Sequence, residues 1–96
     1  MASSKEFKDF IIDQLRELDF VSDKRMMGEY LLYYNGVLFG GIFDNKLLIK
    51  RTESNKKYNL KEEIPYEKAK PMYMVENLDD SEYLSELVKT TCDGIK

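Results

Sequence analysis

Residues 30–51, with the sequence YLLYYNGVLFGGIFDNKLLIKR, constrain the fold of this chain more than any other stretch. The dipeptide Asn35-Gly36 separates two apolar runs, and it is the pair that best tolerates the two positive φ angles of a type I′ turn. A third run follows Asp44-Asn45, which is a weaker signal of the same kind. The stretch therefore predicts three antiparallel strands joined by two tight turns.

Two-residue turns would fix the register of these strands. The expected pairs are Tyr34 with Val37, Leu32 with Phe39, Tyr30 with Gly41, Phe43 with Lys46 and Gly41 with Leu48. Because successive residues of a strand point to opposite sides, this register divides the side chains between two faces. One face is nearly all aliphatic, and we expect helices to cover it; it carries Leu31, Tyr33, Leu38, Gly40, Ile42, Leu47 and Ile49.

The second predicted face is aromatic, with lysines at its rim. It carries Tyr30, Leu32, Tyr34, Val37, Phe39, Gly41, Phe43, Lys46, Leu48 and Lys50. A half-buried sheet alternates apolar with polar residues, so a second apolar face requires either burial on both sides or a partner. Two long helices suffice for one side only. We therefore expect an interaction face for a protein partner or a second copy at Tyr30, Leu32, Tyr34, Phe39, Phe43, Lys46 and Lys50; the alternative is that the short helix or the C-terminal tail covers it.

The flanking segments predict helices at both ends of the chain. Ser3 and Glu6 have capping-box spacing, and an apolar stripe follows at Phe7, Phe10, Ile11, Leu15 and Leu18. Near the C-terminus, Asp79 and Glu82 predict another helix start, before a stripe at Leu84, Leu87, Val88 and Thr91 and a C-terminal cap at Gly94. We expect the helical stripes to pack on the aliphatic sheet face.

The remaining segments predict connections and one further strand. Residues 21–23 are interpreted as a connector, with a bend at Gly28. Thr52 or Ser54 is expected to cap a short helix that ends near Asn59. Residues 61–63 read as a charged loop, and residues 72–76 as a strand with a short partner at 66–68, because Pro65 and Pro71 exclude a continuous helix there.

Composition limits the functions that are open to the chain. With 96 residues, 43% of them hydrophobic and 34% charged, the sequence is typical of one soluble globular domain. A net charge of −3 disfavours tight binding to nucleic acid. Residues 46–70 are nevertheless basic, with eight basic and four acidic side chains. Weak nucleic-acid binding therefore stays open as an alternative, through Lys46, Lys50, Arg51, Lys56 and Lys57.

The sequence offers little chemistry for catalysis. It contains no histidine, which removes the commonest general base and every imidazole metal ligand. Gly36, Gly40 and Gly41 do not form a phosphate loop, and the last two are expected to admit a bulge or a close neighbour. We expect no catalytic residue, cofactor or metal. The single Cys92 and the lack of an apolar run of roughly 20 residues indicate a cytoplasmic protein without a membrane span.

Residues 25–30, RMMGEY, introduce a family resemblance. Together with Leu32-Tyr33, Gly36, Phe39-Gly40, Ile42, Leu47 and Lys50, they resemble the TfoX/Sxy N-terminal domain family, whose members typically read R-M-F-G-E-Y-x-L-Y and L-Y-L-K. Residues 69–73 and 78–80 are similar to that family's later segment. The motif falls on Arg25, Met27, Gly28, Glu29 and Tyr30, and the chain departs from it at Met27, where the family usually has Phe, and at Leu48, where Tyr is common.

The resemblance implies an α+β fold in two layers, an α/β sandwich with an antiparallel sheet and the element order α-β-β-β-α-β-β-α, similar to secretion chaperones. Named family members regulate natural competence in bacteria, act on transcription, and usually carry a second, helical C-terminal domain. Here we expect a single stand-alone domain over residues 1–96, because the sequence ends after the last predicted helix. Its expected function is non-catalytic regulation through protein contacts, and the alternative is a chaperone-like or scaffold dimer.

Overall fold

The computed structural model describes residues 3–95, so positions 1, 2 and 96 of the predicted domain lie outside the described residues. Two helices, six strands and one 3₁₀ turn follow one another along the chain. In order they are α1 Lys5–Gln14, β1 Val21–Met26, β2 Glu29–Tyr34, β3 Val37–Phe43, β4 Lys46–Ile49, the 3₁₀ turn Lys56–Tyr58, β5 Lys61–Glu63, β6 Met72–Val75 and α2 Ser81–Ile95.

The strands form one antiparallel sheet in the order β1-β2-β3-β4-β6-β5. The α+β class is confirmed, with one strand more than predicted. The extra strand is β1, and the connector predicted at residues 21–23 forms its first half. Exposed, charged residues in this strand do not alternate with apolar ones, so the sequence lacks the usual strand pattern. Met27 and Gly28, with φ angles of 52° and 84°, form the tight turn that returns this edge strand into β2. Likewise β5 occupies the predicted charged loop, and it replaces residues 66–68 as the partner of β6.

Both helices pack on one face of the sheet, where they bury the predicted stripes. Ile11, Leu84 and Leu87 are completely buried, whereas Phe10 remains 40% exposed, so its predicted place in the core is wrong. Each helix starts one residue later than predicted: Ser4 Oγ accepts a hydrogen bond from Phe7 N at 3.1 Å, and Asp80 Oδ1 accepts one from Tyr83 N at 3.0 Å.

The register of the central hairpin contains a bulge that decides which face the helices cover. Tyr34 pairs with Val37, Gly41 with Leu48 and Phe43 with Lys46, as predicted. Tyr30 instead pairs with Ile42 and Leu32 with Gly40, because Phe39 is an extra residue between the two paired segments of β3. One extra residue moves every side chain beyond it to the opposite face.

Because of the bulge, the helices cover side chains from both of the predicted faces. Tyr30, Leu32 and Phe39 join Ile42, Leu47 and Ile49 in one core, and Tyr34 packs against it. The predictions that Tyr30, Leu32, Tyr34 and Phe39 lie on an uncovered face, and that Leu31, Tyr33 and Leu38 lie under the helices, are therefore wrong. The sheet face opposite the helices is called the open face, and by register it carries Leu31, Tyr33, Leu38, Gly41, Phe43, Lys46, Leu48, Met72 and Met74.

Gly40 and Gly94 each lie at a tight approach where a side chain would not fit. A Cβ on Gly40 would lie 2.8 Å from Ile49 Cα, against backbone that has no room to move, so the bulge brings β3 very close to β4. Gly94 lies inside α2, and the prediction that it caps that helix is wrong. A Cβ there would lie 2.8 Å from the Cβ and the Oγ1 of Thr52, so Gly94 admits the loop before the 3₁₀ turn.

Candidate interaction groove on the open sheet face

The loop of residues 64–71, which joins β5 to β6, folds across part of the open face. Phe43 and Leu48 are 9% and 1% exposed although they lie outside the core that the helices cover. The ring of Tyr66 lies against Phe43, with 6.2 Å between the ring centroids. Between this loop and the sheet lies a groove of about 480 Å³. That volume is within the range of small-molecule sites in proteins.

The groove has an apolar floor, an apolar wall and a basic rim. Its floor comes from the sheet, with Leu31, Leu38, Phe43 and Met72, and Gly40 also opens onto it. Its wall comes from the loop, with Pro65, Tyr66, Ala69 and Pro71. Its rim carries Lys50, Arg51 and Lys70. The rim residues Arg51 and Lys70 are 19 positions apart in the sequence. They meet because β6 inserts beside β4 in the sheet.

The sequence of the loop explains its path. Prolines at both of its ends fix φ and exclude a regular strand or helix between them. A hydrogen bond from Ala69 N to Tyr66 O, 3.0 Å long, closes a turn in the middle, and Lys68 takes a left-handed φ of 69°. Pairing of β5 with β6 holds the two ends of the loop together.

Two ion pairs tie β4 and the segment after it to the edge strand β5. Lys46 Nζ lies 2.8 Å from Glu63 Oε2, and this hydrogen-bonded carboxylate raises the pKa of Lys46. Arg51 Nη1 lies 2.9 Å from Glu62 Oε2. Both pairs are exposed enough that solvent screens them, so they fix positions more than they stabilise the fold.

The other two rim cations, Lys50 and Lys70, have no such partner. Within residues 3–95, no carboxylate oxygen comes within 4.0 Å of either ammonium group. Lys50 is half-buried and Lys70 is exposed. The groove therefore keeps uncompensated positive charge at its mouth.

A buried asparagine holds the chain at the point where the rim begins. Asn55 is completely buried, and its Nδ2 donates to Lys50 O and to Thr91 Oγ1, both at 2.9 Å. Its Oδ1 accepts a hydrogen bond from Thr52 N at 3.0 Å. Because Lys50 N donates to Phe39 O at 2.8 Å, the backbone of Lys50 is fixed from both sides. Asn55 thus joins the groove rim to helix α2.

The predicted interaction residues are divided between the two faces. Phe43, Lys46 and Lys50 lie on the open side, and Phe43 and Lys50 line the groove. Their predicted companions Tyr30, Leu32, Tyr34 and Phe39 face the helices. Reasoning from the sequence missed Leu31, Leu38, Tyr66, Lys70 and Met72 as groove residues. The signals for them were the glycine pair at 40–41 and the two prolines around the loop.

The family-motif residues have structural roles in the β1–β2 hairpin. Met27 and Gly28 form its turn, with Met27 96% exposed. The Glu29 carboxylate accepts hydrogen bonds from Ser3 N at 3.0 Å, from Ser3 Oγ at 2.5 Å and from Asp44 N at 3.1 Å. It thereby joins the N-terminus of the described chain to the β3–β4 turn. The first and last motif positions pair across the hairpin, with Arg25 in β1 opposite the buried Tyr30 in β2.

In the basic segment that was the alternative site for nucleic-acid contact, three of the five cations are paired with acidic neighbours. Besides the pairs of Lys46 and Arg51, Lys56 Nζ lies 2.9 Å from Glu53 Oε2, and that carboxylate raises the pKa of Lys56. Lys57 Nζ lies 6.0 Å from the centroid of the Tyr58 ring. The segment does not present a continuous row of unpaired cations, which is what phosphate contacts require.

The described residues contain neither a cluster of metal ligands nor a membrane-spanning helix. Among residues 3–95, no three acidic or cysteine side chains converge in a way that would hold a metal ion. In the same part of the chain, neither helix is long and apolar enough to cross a membrane.

Comparison with known proteins gives one family and one relative. The family model of the TfoX N-terminal domain matches residues 13–94, which include all six strands, the whole groove and nearly all of α2, but only the last two residues of α1. A Spirochaeta aurantia protein described as an uncharacterized 12.7 kDa protein in the trpE 5′ region is 29% identical over 98 residues, an alignment that spans 99% of this chain and 85% of the relative.

Proposed function

The chain belongs to the TfoX N-terminal domain family, and we propose that it is a regulatory domain that acts without catalysis, by binding a protein partner on its open face. The family supports a regulatory, competence-like role. The protein-contact mechanism is our own inference, and it rests on the composition and exposure of the open face.

The observation that carries this proposal is the apolar surface that both helices leave uncovered. Leu31, Tyr33 and Leu38 are only half-buried, although they sit in the middle of a six-stranded sheet. Next to them, Tyr66 is 64% exposed and Met26 is 49% exposed. Tyrosine and methionine are enriched at the centres of protein interfaces, and clusters of exposed apolar side chains mark such interfaces.

The edge of the sheet is a poorer docking surface than its face. Strand β1 leaves one edge open, but Asp23, Lys24 and Arg25 line it with charges of both signs. Charged edge strands oppose the addition of another strand. A partner is therefore expected to lie on the side chains of the open face rather than to extend the sheet.

Complementation in the source organism tests the proposal. Deletion of the gene should change a defined set of transcripts, and the wild-type chain should restore them. Tyr33→Asp places a charge on the open face and should abolish restoration, while Phe10→Asp, at an exposed aromatic residue of α1, should restore transcripts fully. Circular dichroism of both purified variants establishes that they fold. Restoration by Tyr33→Asp, or a deletion without effect on transcripts, would refute the proposal.

A further inference from the structure

The groove on the open face has the shape of a binding site for a small molecule with a long apolar part. Its floor and wall are formed by aliphatic, aromatic and proline side chains, and its volume of about 480 Å³ is that of a ligand site rather than of a packing defect. It lies between rigid sheet and a loop that is fixed at both ends by β5 and β6. The site is therefore formed before any ligand binds.

On its sheet side, the groove has few backbone groups that are free to bind a polar ligand. Its floor belongs to β2, β3 and β6, each of which is paired on both sides within the sheet. In its wall, Pro65 and Pro71 have no N–H group to donate, and the N–H of Ala69 already donates to Tyr66 O. A peptide laid here would leave its own backbone groups without partners, which is costly in an apolar site. An alkyl chain needs no such partners.

The charges at the mouth of the groove indicate the chemistry of the ligand's polar end. Lys50 and Lys70 have no carboxylate partner among the described residues, and Arg51 has one exposed partner, Glu62. No acidic side chain lines the groove. The ammonium groups therefore favour an anionic group at the mouth, while the alkyl part lies on Leu38 and Met72.

We propose that this groove binds an amphipathic carboxylate, with its alkyl chain between the sheet and the 64–71 loop and its carboxylate beside Lys50 and Lys70. This binding site goes beyond the proposed protein contact and does not depend on it. A regulatory domain with such a site would respond to an acyl carboxylate in the cell, because the ligand would occupy part of the same open face.

Titration of the full chain with decanoate, followed by amide NMR shifts, tests the site. Saturable one-to-one binding is expected, with the largest shifts at Leu31, Leu38 and Met72. Decyltrimethylammonium, which has a chain of the same kind and the opposite charge, should bind at least about tenfold more weakly. Acetate, which lacks the chain, should produce no saturable shifts.

Charge-reversal variants locate the carboxylate. The double variant Lys50→Glu/Lys70→Glu should weaken decanoate binding by about tenfold. The matched change Lys89→Glu, at an exposed residue of α2, should leave it unchanged. Equal binding of the cationic ligand, shifts centred on the helix layer, or no saturation would overturn the proposal. Saturable binding of a glutamate–leucine peptide in the groove, without saturable binding of decanoate, would also overturn the proposal. None of these results affects the complementation test of Tyr33.

Discussion

Two adjacent residues, Leu38 and Phe39, provide a sharp test of the bulge in β3. Phe39 is completely buried under the helices, while Leu38 is half-buried on the open face. Replacing a buried phenylalanine by alanine costs about 3–5 kcal/mol, because the cavity term adds to the lost burial. Leu38→Ala removes only part of the 1.5–3 kcal/mol that full burial of a leucine contributes, so we expect a loss of about 1 kcal/mol.

Urea and thermal unfolding, followed by circular dichroism, measure the difference. For a domain of this size, 1 kcal/mol corresponds to a change in Tm of about 4–8 °C, so Phe39→Ala should lower Tm by at least 12 °C, and Leu38→Ala by roughly 4–8 °C. Phe39→Leu keeps most of the buried side chain and should lie between them, which preserves the comparison if the alanine variant does not fold.

The regular hairpin register predicts the opposite ranking. Without the bulge, Leu38 would face the helices and Phe39 would lie on the open face. A Leu38→Ala variant that loses as much stability as Phe39→Ala, or more, would show that the helix-facing side of β3 is assigned wrongly.

Three further predictions concern the loop before the 3₁₀ turn and the basic segment. Gly94→Ala should lower the urea midpoint, although alanine is favoured over glycine in helices by about 1 kcal/mol, because the new Cβ would meet Thr52; a higher midpoint would contradict the close approach. Asn55→Ala should lower the free energy of unfolding by about 1–3 kcal/mol, because it leaves the buried Thr91 Oγ1 unpaired and also removes the partner of two part-buried groups, the N–H of Thr52 and the C=O of Lys50. An unchanged urea midpoint would contradict this role. An electrophoretic shift assay at physiological salt should detect no DNA complex tighter than roughly micromolar, and tight, sequence-dependent retention that Lys50→Glu abolishes would contradict that expectation.

Local sequence signals were sufficient for two of the turns and for the buried stripes of the helices. Asn35-Gly36 forms the expected turn, with φ angles of 53° and 81°, and Asp44-Asn45 forms the second one, with 53° and 56°. The helical stripes around Ile11 and Leu87 are buried as their periodicity indicates. These features depend on neighbours within a few residues, so the sequence alone determines them.

Which face of the sheet the helices cover is linked to a contact between residues that are far apart in the sequence. Between residues 30 and 49, apolar residues occupy most strand positions on both faces, so alternation alone does not distinguish the two faces. The bulge at Phe39 is accompanied by the close approach of Gly40 to β4, a tertiary contact that alternation along the chain does not reveal. The glycine pair was recognised as a site where a bulge fits, but the register was derived without one.

The edge strands were hidden for a related reason. β1 and β5 are polar and exposed, so they lack the apolar alternation by which strands are recognised, and they exist because a paired neighbour satisfies their backbone groups. The groove depends on the same long-range topology, since the insertion of β6 between β4 and β5 brings the loop over Phe43. Pro65 and Pro71 indicate an irregular loop, but no local pattern indicates that this loop lies over the sheet.

Site-specific photo-cross-linking in the source organism tests the central claim, that the open face is the contact surface. Benzoylphenylalanine placed at Tyr33 lies on the open face, and at Phe10 it lies on the exposed side of α1. We predict that position 33 forms an adduct with one defined protein, that the same protein is recovered from position 31, and that position 10 does not capture it. Capture of that protein from position 10 and not from positions 31 and 33 would contradict the account.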